Sequence, residues 1–178
     1  MIANKFALIF VAFLRQDFPN LWQDAFAQLF GLLQSPNADA VYQLKIRRFI
    51  VKVMKTFNSE LIERGEAKVS HDLLIATQVK DGIRQLAITS ILDMLLDTVL
   101  SKMALFSKEE VQDVLYILAQ LIDWNELPQF EGLVSHCMQV LQSNDPAFGQ
   151  EYKNGAFNCI QAVVCKGMDH NEKIGVIG

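Results

Sequence analysis

Apolar residues recur along this chain at intervals of three and four, the period of an α-helix. Phe6, Ile9, Phe10, Phe13 and Leu14 make the first such stripe and predict a helix over residues 3–16. Asp17-Phe18-Pro19 ends it, because proline lacks an amide donor and pushes the residue before it out of the α region. Residues 21–33 predict a second helix, with Trp22, Phe26, Leu29, Phe30 and Leu33 on one side. Gln34-Ser35-Pro36-Asn37 is a turn cluster, and residues 38–57 predict a third helix. Residues 58–70, with Gly65 and several charges, read as a loop.

A long periodic stretch covers residues 71–106, as one helix or as two with a break near Gly82. Ser107-Lys108-Glu109-Glu110 has the form of a capping box, with the Ser107 hydroxyl accepting from the Glu110 amide and the carboxylate reaching back. Val111, Leu115, Leu118, Ala119 and Ile122 form the next stripe. Pro128 restarts the pattern, residues 133–141 predict a short helix, and Ser143-Asn144-Asp145-Pro146 is a turn. Residues 154–168 predict a further helix with Ala156, Ile160, Val163 and Val164 inward, and Asp169-His170-Asn171-Glu172 starts another. No segment reads as a strand. The fold predicted is all-α: an α-α superhelix, or solenoid, of HEAT-like antiparallel helix pairs. Neither the opening stripe nor Ile174-Gly175-Val176-Ile177-Gly178 supplies the polar cap that a solenoid end needs. The expectation is an interior segment of a longer array.

Composition sharpens this picture. Hydrophobic residues make up 51% of the 178, and the mean hydropathy is +0.19. There are 9 glycines and 4 prolines, where average usage gives about 21 together. Turns are few and elements long, and the apolar content excludes a disordered chain. The net charge of −4 excludes a generally basic coat, though not a local basic patch. The nine apolar residues from Phe6 to Leu14 fall short of the roughly 20 that span a bilayer. No small-residue cleavage site follows them, which disfavours a signal peptide. Membrane insertion is not expected.

Candidate chemistry is sparse. The sequence has no phosphate-binding glycine loop, dinucleotide fingerprint, zinc-protease helix or nucleophile elbow. Cys137, Cys159 and Cys165 form no CxxC and leave an odd thiol, which fits a reducing compartment; Cys159 and Cys165 read as packing in a helix interface. His136 and Cys137 are adjacent and so point about 100° apart on a helix, poor for joint ligation. Neither catalysis, nor a metal, nor a cofactor is expected. One polar feature stands out. Lys45, Arg48, Lys52 and Lys55 are spaced 3, 4 and 3 and fall within an arc of about 80°. Ile46, Phe49, Ile50, Val53, Met54 and Phe57 occupy a different arc of the same helix. Such a ridge is either a solvated face or an electrostatic contact for phosphates or an acidic protein surface. Lys80 and Arg84 make a second basic pair at i, i+4.

Several segments carry a resemblance. Asn4-Lys5-Phe6-Ala7 followed by Asp17-Phe18-Pro19-Asn20-Leu21-Trp22 resembles a passage near the N-terminal repeats of the karyopherin exportins. Val79-Lys80-Asp81-Gly82-Ile83-Arg84, Leu121-Ile122-Asp123-Trp124, and Asn158-Cys159-Ile160 through Val164-Cys165-Lys166-Gly167-Met168-Asp169 resemble segments of the exportin-T branch, the tRNA nuclear export receptors, in the same order. The tryptophan follows rather than precedes the third motif, and residues 58–70 have no counterpart.

The resemblance implies an importin-β-type HEAT superhelix, with this chain drawn from its N-terminal third. It implies a non-catalytic receptor that shuttles between nucleus and cytoplasm. Its partners would be the GTP form of Ran, tRNA and nuclear pore proteins. The helix phase it implies is an inner helix at 3–16, outer–inner pairs at 20–57, 70–124 and 128–168, and a further helix starting at 169–178. Lys45, Arg48, Lys52, Lys55, Lys80 and Arg84 are then the candidate contacts for tRNA or Ran. A karyopherin of another branch with protein cargo, and a Ran-independent HEAT scaffold, are the alternatives.

Overall fold

The computed structural model describes residues 2–34, 39–63 and 71–166, together with Ile174. Among the described residues every regular element is helical and none is a strand. The fold is the all-α class of packed helix pairs that the periodicity predicts. No described helix is long and apolar enough to cross a membrane. The chain divides into two compact units, Met1–Met94 and Leu95–Gly178.

The first unit holds α1 (Ile2–Asp17), α2 (Ala25–Gly31), α3 (Ala40–Phe57), α4 (His71–Leu86) and α5 (Ile88–Asp93). Asp39 starts α3 by accepting from the Tyr42 amide at 2.7 Å, which satisfies one of the four orphan donors of a helix N-terminus. Along its C-terminal half α3 buries Ile50, Val51, Val53, Met54 and Phe57, and α1 packs against it. Phe26 of α2 closes the core edge-on to Phe18 and Phe57, with ring centroids 5.3 and 5.7 Å away.

The structure turns α1 relative to the expected stripe. Its buried residues are Ala7, Val11 and Leu14, whereas Phe6, Ile9 and Phe13 are 59%, 52% and 53% exposed. With nine apolar residues in a row the period selects no face. Packing does, and the small Ala7 and Val11 let α1 approach α3 where phenylalanines would hold it off. The second helix begins at Ala25, not at Leu21, because the Leu21 and Trp22 amides both turn back to the Asp17 carbonyl. Residues 58–63 are not loop. They extend α3 by one π-helical turn that buries Leu61 and Ile62; residues 64–70 lie outside the described residues. The break in the 71–106 stretch falls at Ala87, between α4 and α5, not at Gly82. Gly82 stays helical, and the Phe18-Pro19 turn packs directly on it. A Cβ there would lie 2.6 Å from Pro19 Cβ and 2.8 Å from Phe18 Cε1.

After a π-helical turn at Met94–Val99, the second unit holds a 3₁₀ turn at Leu100–Leu105, then α6 (Lys108–Trp124), α7 (Glu131–Gln142) and α8 (Gln150–Cys165). The capping box at the start of α6 forms: Ser107 Oγ accepts from the Glu110 amide at 3.2 Å, and Glu110 Oε2 accepts from the Ser107 amide at 2.8 Å. Helix α8 packs against both α6 and α7. It comes nearest α6 at Gly155, where a Cβ would lie 2.6 Å from Leu115 Cδ1. This close approach sets the buried face of α8 as Tyr152, Ala156, Cys159 and Val163. Val164 is therefore exposed and Ile160 only half-buried, a rotation from the expected stripe. The helix starting at Asp169 lies outside the described residues. At the far end the Lys166 ammonium donates to the carbonyls of Ile122 and Asn125. A cation thus closes the C-terminus of α6, where the helix dipole favours positive charge.

Candidate functional site

The basic ridge is in place on α3. Lys45, Arg48 and Lys55 are exposed and Lys52 is half-buried. The buried arc of α3, from Val53 round to Val51, is centred about 160° from the ridge. The four cations therefore point away from the core of the first unit. Arg47 projects into the buried arc instead, with its Nη1 buried and without a hydrogen-bond partner among the described residues. Lys80 and Arg84 sit on α4, where Arg84 is engaged with the Asp81 carboxylate one turn earlier. Arg84 is therefore paired within its own helix, while Lys45, Arg48, Lys52 and Lys55 share one face of α3.

Cys137, Cys159 and His136 have packing roles. Cys137 and Cys159 are buried and Cys165 is exposed, so Cys159 and Cys165 do not share an interface. Cys159 donates to the Leu115 carbonyl at 3.4 Å. Its hydrogen bond with Cys137, followed by burial, pushes its thiol far above the usual range, which keeps the Cys159 sulfur protonated and unreactive. Among the described residues no group of three or more histidine, cysteine or acidic side chains could hold a metal ion.

His136 Nε2 meets the Tyr152 hydroxyl at 2.7 Å and ties α7 to α8. Burial lowers the His136 pKa below its ordinary value and raises that of Tyr152. The fold therefore favours neutral His136. As pH falls below about 6.5 the unfolded chain takes up a proton that the folded chain resists. Its contribution to stability is complete above that pH and is lost as pH falls through the depressed folded value. Urea midpoints measured from pH 7.5 to 5.5 are expected to fall for the wild type and to fall less for His136→Gln. Equal slopes in the two proteins would remove His136 as the cause.

The hydrophobic periodicity does not mark a cavity in the second unit. An apolar hole of about 280 Å³ lies between the 3₁₀ turn and the starts of α6 and α8. Gln112 and Glu151 line both this hole and a second hollow, a trough of about 240 Å³ between α6 and α8. The amides Asn154 and Asn158, one turn apart beside Gly155, are the signal that could have pointed there.

Over residues 1–160 the sequence matches the family model of exportin 1-like proteins. The chain belongs to that family. A comparison with curated proteins finds no match. The match covers all of α1 to α7 and most of α8, so the basic ridge and the trough of this exportin 1-like chain both lie inside the shared region.

Proposed function

We propose that this exportin 1-like chain forms part of a karyopherin-type nuclear transport receptor that binds tRNA together with Ran in its GTP form. It carries the tRNA from nucleus to cytoplasm past nuclear pore proteins. The mechanism is non-catalytic. Lys45, Arg48, Lys52 and Lys55 meet tRNA phosphates or the acidic surface of Ran, with Lys80 and Arg84 as flanking contacts. Ran and cargo each favour the same curvature of the array, which couples their binding reciprocally. What supports the receptor reading is the family match over residues 1–160. What supports a phosphate partner is the row of cations on the side of α3 away from its core. Packing of α1 on α3 and of α6 on α8 is what stacked inner helices would show, with 20–57, 70–124 and 128–168 as the outer–inner pairs. The ridge then lies on an inner helix.

The test is tRNA binding by the whole receptor chain with RanGTP, the four ridge residues changed together to glutamate. Affinity is expected to fall by at least about tenfold. The slope of log K against log salt should become shallower by about 3, since each phosphate that a ridge cation neutralises contributes about 0.7–0.9. An unchanged affinity and slope would make the ridge a solvated face. A protein cargo is the second reading, favoured by the overall acidic balance of 16 basic to 20 acidic residues. Unlabelled tRNA competing in a RanGTP-dependent pull-down separates the two. A scaffold independent of Ran would pull down its GTP and GDP forms equally.

A further inference from the structure

Helix α1 carries a second apolar face that the first unit leaves bare. Ile2, Phe6, Ile9 and Phe13 are 71%, 59%, 52% and 53% exposed. Their spacing is 4, 3 and 4, the alternation of the a and d positions of a heptad. On the helix they fall within an arc of about 60°, and no other residue of α1 enters that arc. Its centre lies about 140° from that of the buried residues Ala7, Val11 and Leu14. The stripe therefore points away from α3, and away from the ridge that α3 carries. Single apolar residues on a surface need no explanation, but four in one seam do. A helix packed into a globular core shows an apolar stripe of about 100° or more, whereas the narrower a/d stripe is the seam between two paired helices. The shape of the stripe thus calls for one further helix.

The order of side chains in the seam says which helix fits. Laid antiparallel on a second copy of itself, α1 sets Ile2 against Phe13 of the second copy, and Phe6 against Ile9. Every layer then joins one phenylalanine to one isoleucine, so all four layers have the same width. A parallel pair would alternate Phe–Phe with Ile–Ile layers, wide and narrow in turn, between helices that keep one distance. The area fixes the strength. A buried phenylalanine covers about 150–250 Å², so four large side chains half exposed offer roughly 400–500 Å² per copy. Two copies bury about 900 Å², below the standard interface and in the class of weak complexes. Because α1 is already folded on α3, pairing orders no new helix, which lowers its cost. We propose that α1 is a self-association surface. Two copies of this chain pair through it, antiparallel, as a weak isologous dimer. The seam is separate from the basic ridge, and its test depends on neither tRNA nor Ran.

The test is sedimentation equilibrium of the full chain from low micromolar to several hundred micromolar. A monomer–dimer equilibrium is expected, with a dissociation constant in the tens to hundreds of micromolar. Phe13→Lys should weaken it at least tenfold, and so should Ile2→Glu. Both positions are exposed, and circular dichroism of each variant checks that the helices persist. Mixed in equal amounts, the two variants should dimerise again, because the new lysine and the new glutamate face each other in an end layer. Phe13→Lys mixed with Phe13→Glu should stay monomeric, since position 13 never meets itself in an antiparallel pair. A wild-type chain that is monomeric throughout the range would overturn the proposal. So would association that Phe13→Lys leaves unchanged, growth beyond a dimer, or rescue of Phe13→Lys by Phe13→Glu.

Discussion

Phe26→Ala is expected to remove about 3–5 kcal/mol from the unfolding free energy of the first unit, the range for emptying a buried phenylalanine site. Phe26 is 1% exposed and lies at the meeting point of three chain segments. Phe18 leaves α1, Phe57 ends α3, and Phe30 is one turn on in α2, with ring centroids 5.3, 5.7 and 6.2 Å away. Two of these contacts are edge-on, the arrangement in which aromatic pairs add about 0.5–1.5 kcal/mol beyond burial. Neighbouring rings are rigid and approach from different elements, so they do not close over the space as a flexible leucine would. The loss is a large share of a domain stability of about 5–15 kcal/mol. Urea unfolding with linear extrapolation reads it directly. A change below about 1 kcal/mol would mean that the cluster collapses without cost. Phe26→Leu keeps most of the apolar surface and is expected to lose well under half as much.

This cluster shows what was legible in the sequence. Phe26 is marked as inward by its spacing in residues 21–33, and Phe57 by its spacing on α3. Element type was readable wherever apolar and polar residues alternate with a clear period, as on α3 and α6. Faces were not readable where the run is apolar throughout. Phe6, Ile9 and Phe13 are the greasiest residues of α1, yet Ala7 and Val11 face α3. Their advantage is small size, which counts only once a partner helix is present. On α8 the same reasoning applies. Gly155 presents nothing to a hydrophobicity scale, but it admits Leu115 and so rotates Val164 outward.

The candidate site divides in the same way. The ridge of Lys45, Arg48, Lys52 and Lys55 is legible because one helix carries it, and spacing alone puts the four on one face. The trough requires α6 and α8 to be side by side, over a sequence separation that no local pattern bridges. The family-like motifs prove to be packing devices. Phe18-Pro19 and Gly82 belong to two of them and meet in the first unit. Ile122 and Lys166 belong to the other two and meet in the second, through the Lys166 ammonium on the Ile122 carbonyl. Motifs of this kind specify how helices fit together, so they identify the family without identifying a cargo. The ridge, through which we propose cargo is met, lies outside all four motifs.

Gly82→Ala sets two effects against each other, and the close approach of Pro19 decides the sign. Inside a helix, alanine in place of glycine is worth about 0.5–1 kcal/mol of stabilisation. Here the new Cβ would sit 2.6 Å from Pro19 Cβ and 2.8 Å from both Pro19 Cγ and Phe18 Cε1. The obstacles are a pyrrolidine ring and a phenyl ring that is itself packed on Phe26, so neither yields by a simple rotation. Overpacking of this sort costs about 1–3 kcal/mol and occasionally more, and the upper part of that range applies where two rings must move. The net expectation is a loss of about 2 kcal/mol, read from the urea midpoint at constant m-value. Pro19→Gly removes the nearest atoms and reverses the balance. In that background Gly82→Ala should be neutral or stabilising, so the double-mutant cycle should return a coupling of about 2 kcal/mol. A stabilising Gly82→Ala in the wild-type background, or additivity with Pro19→Gly, would show that the turn does not rest on α4 in this way.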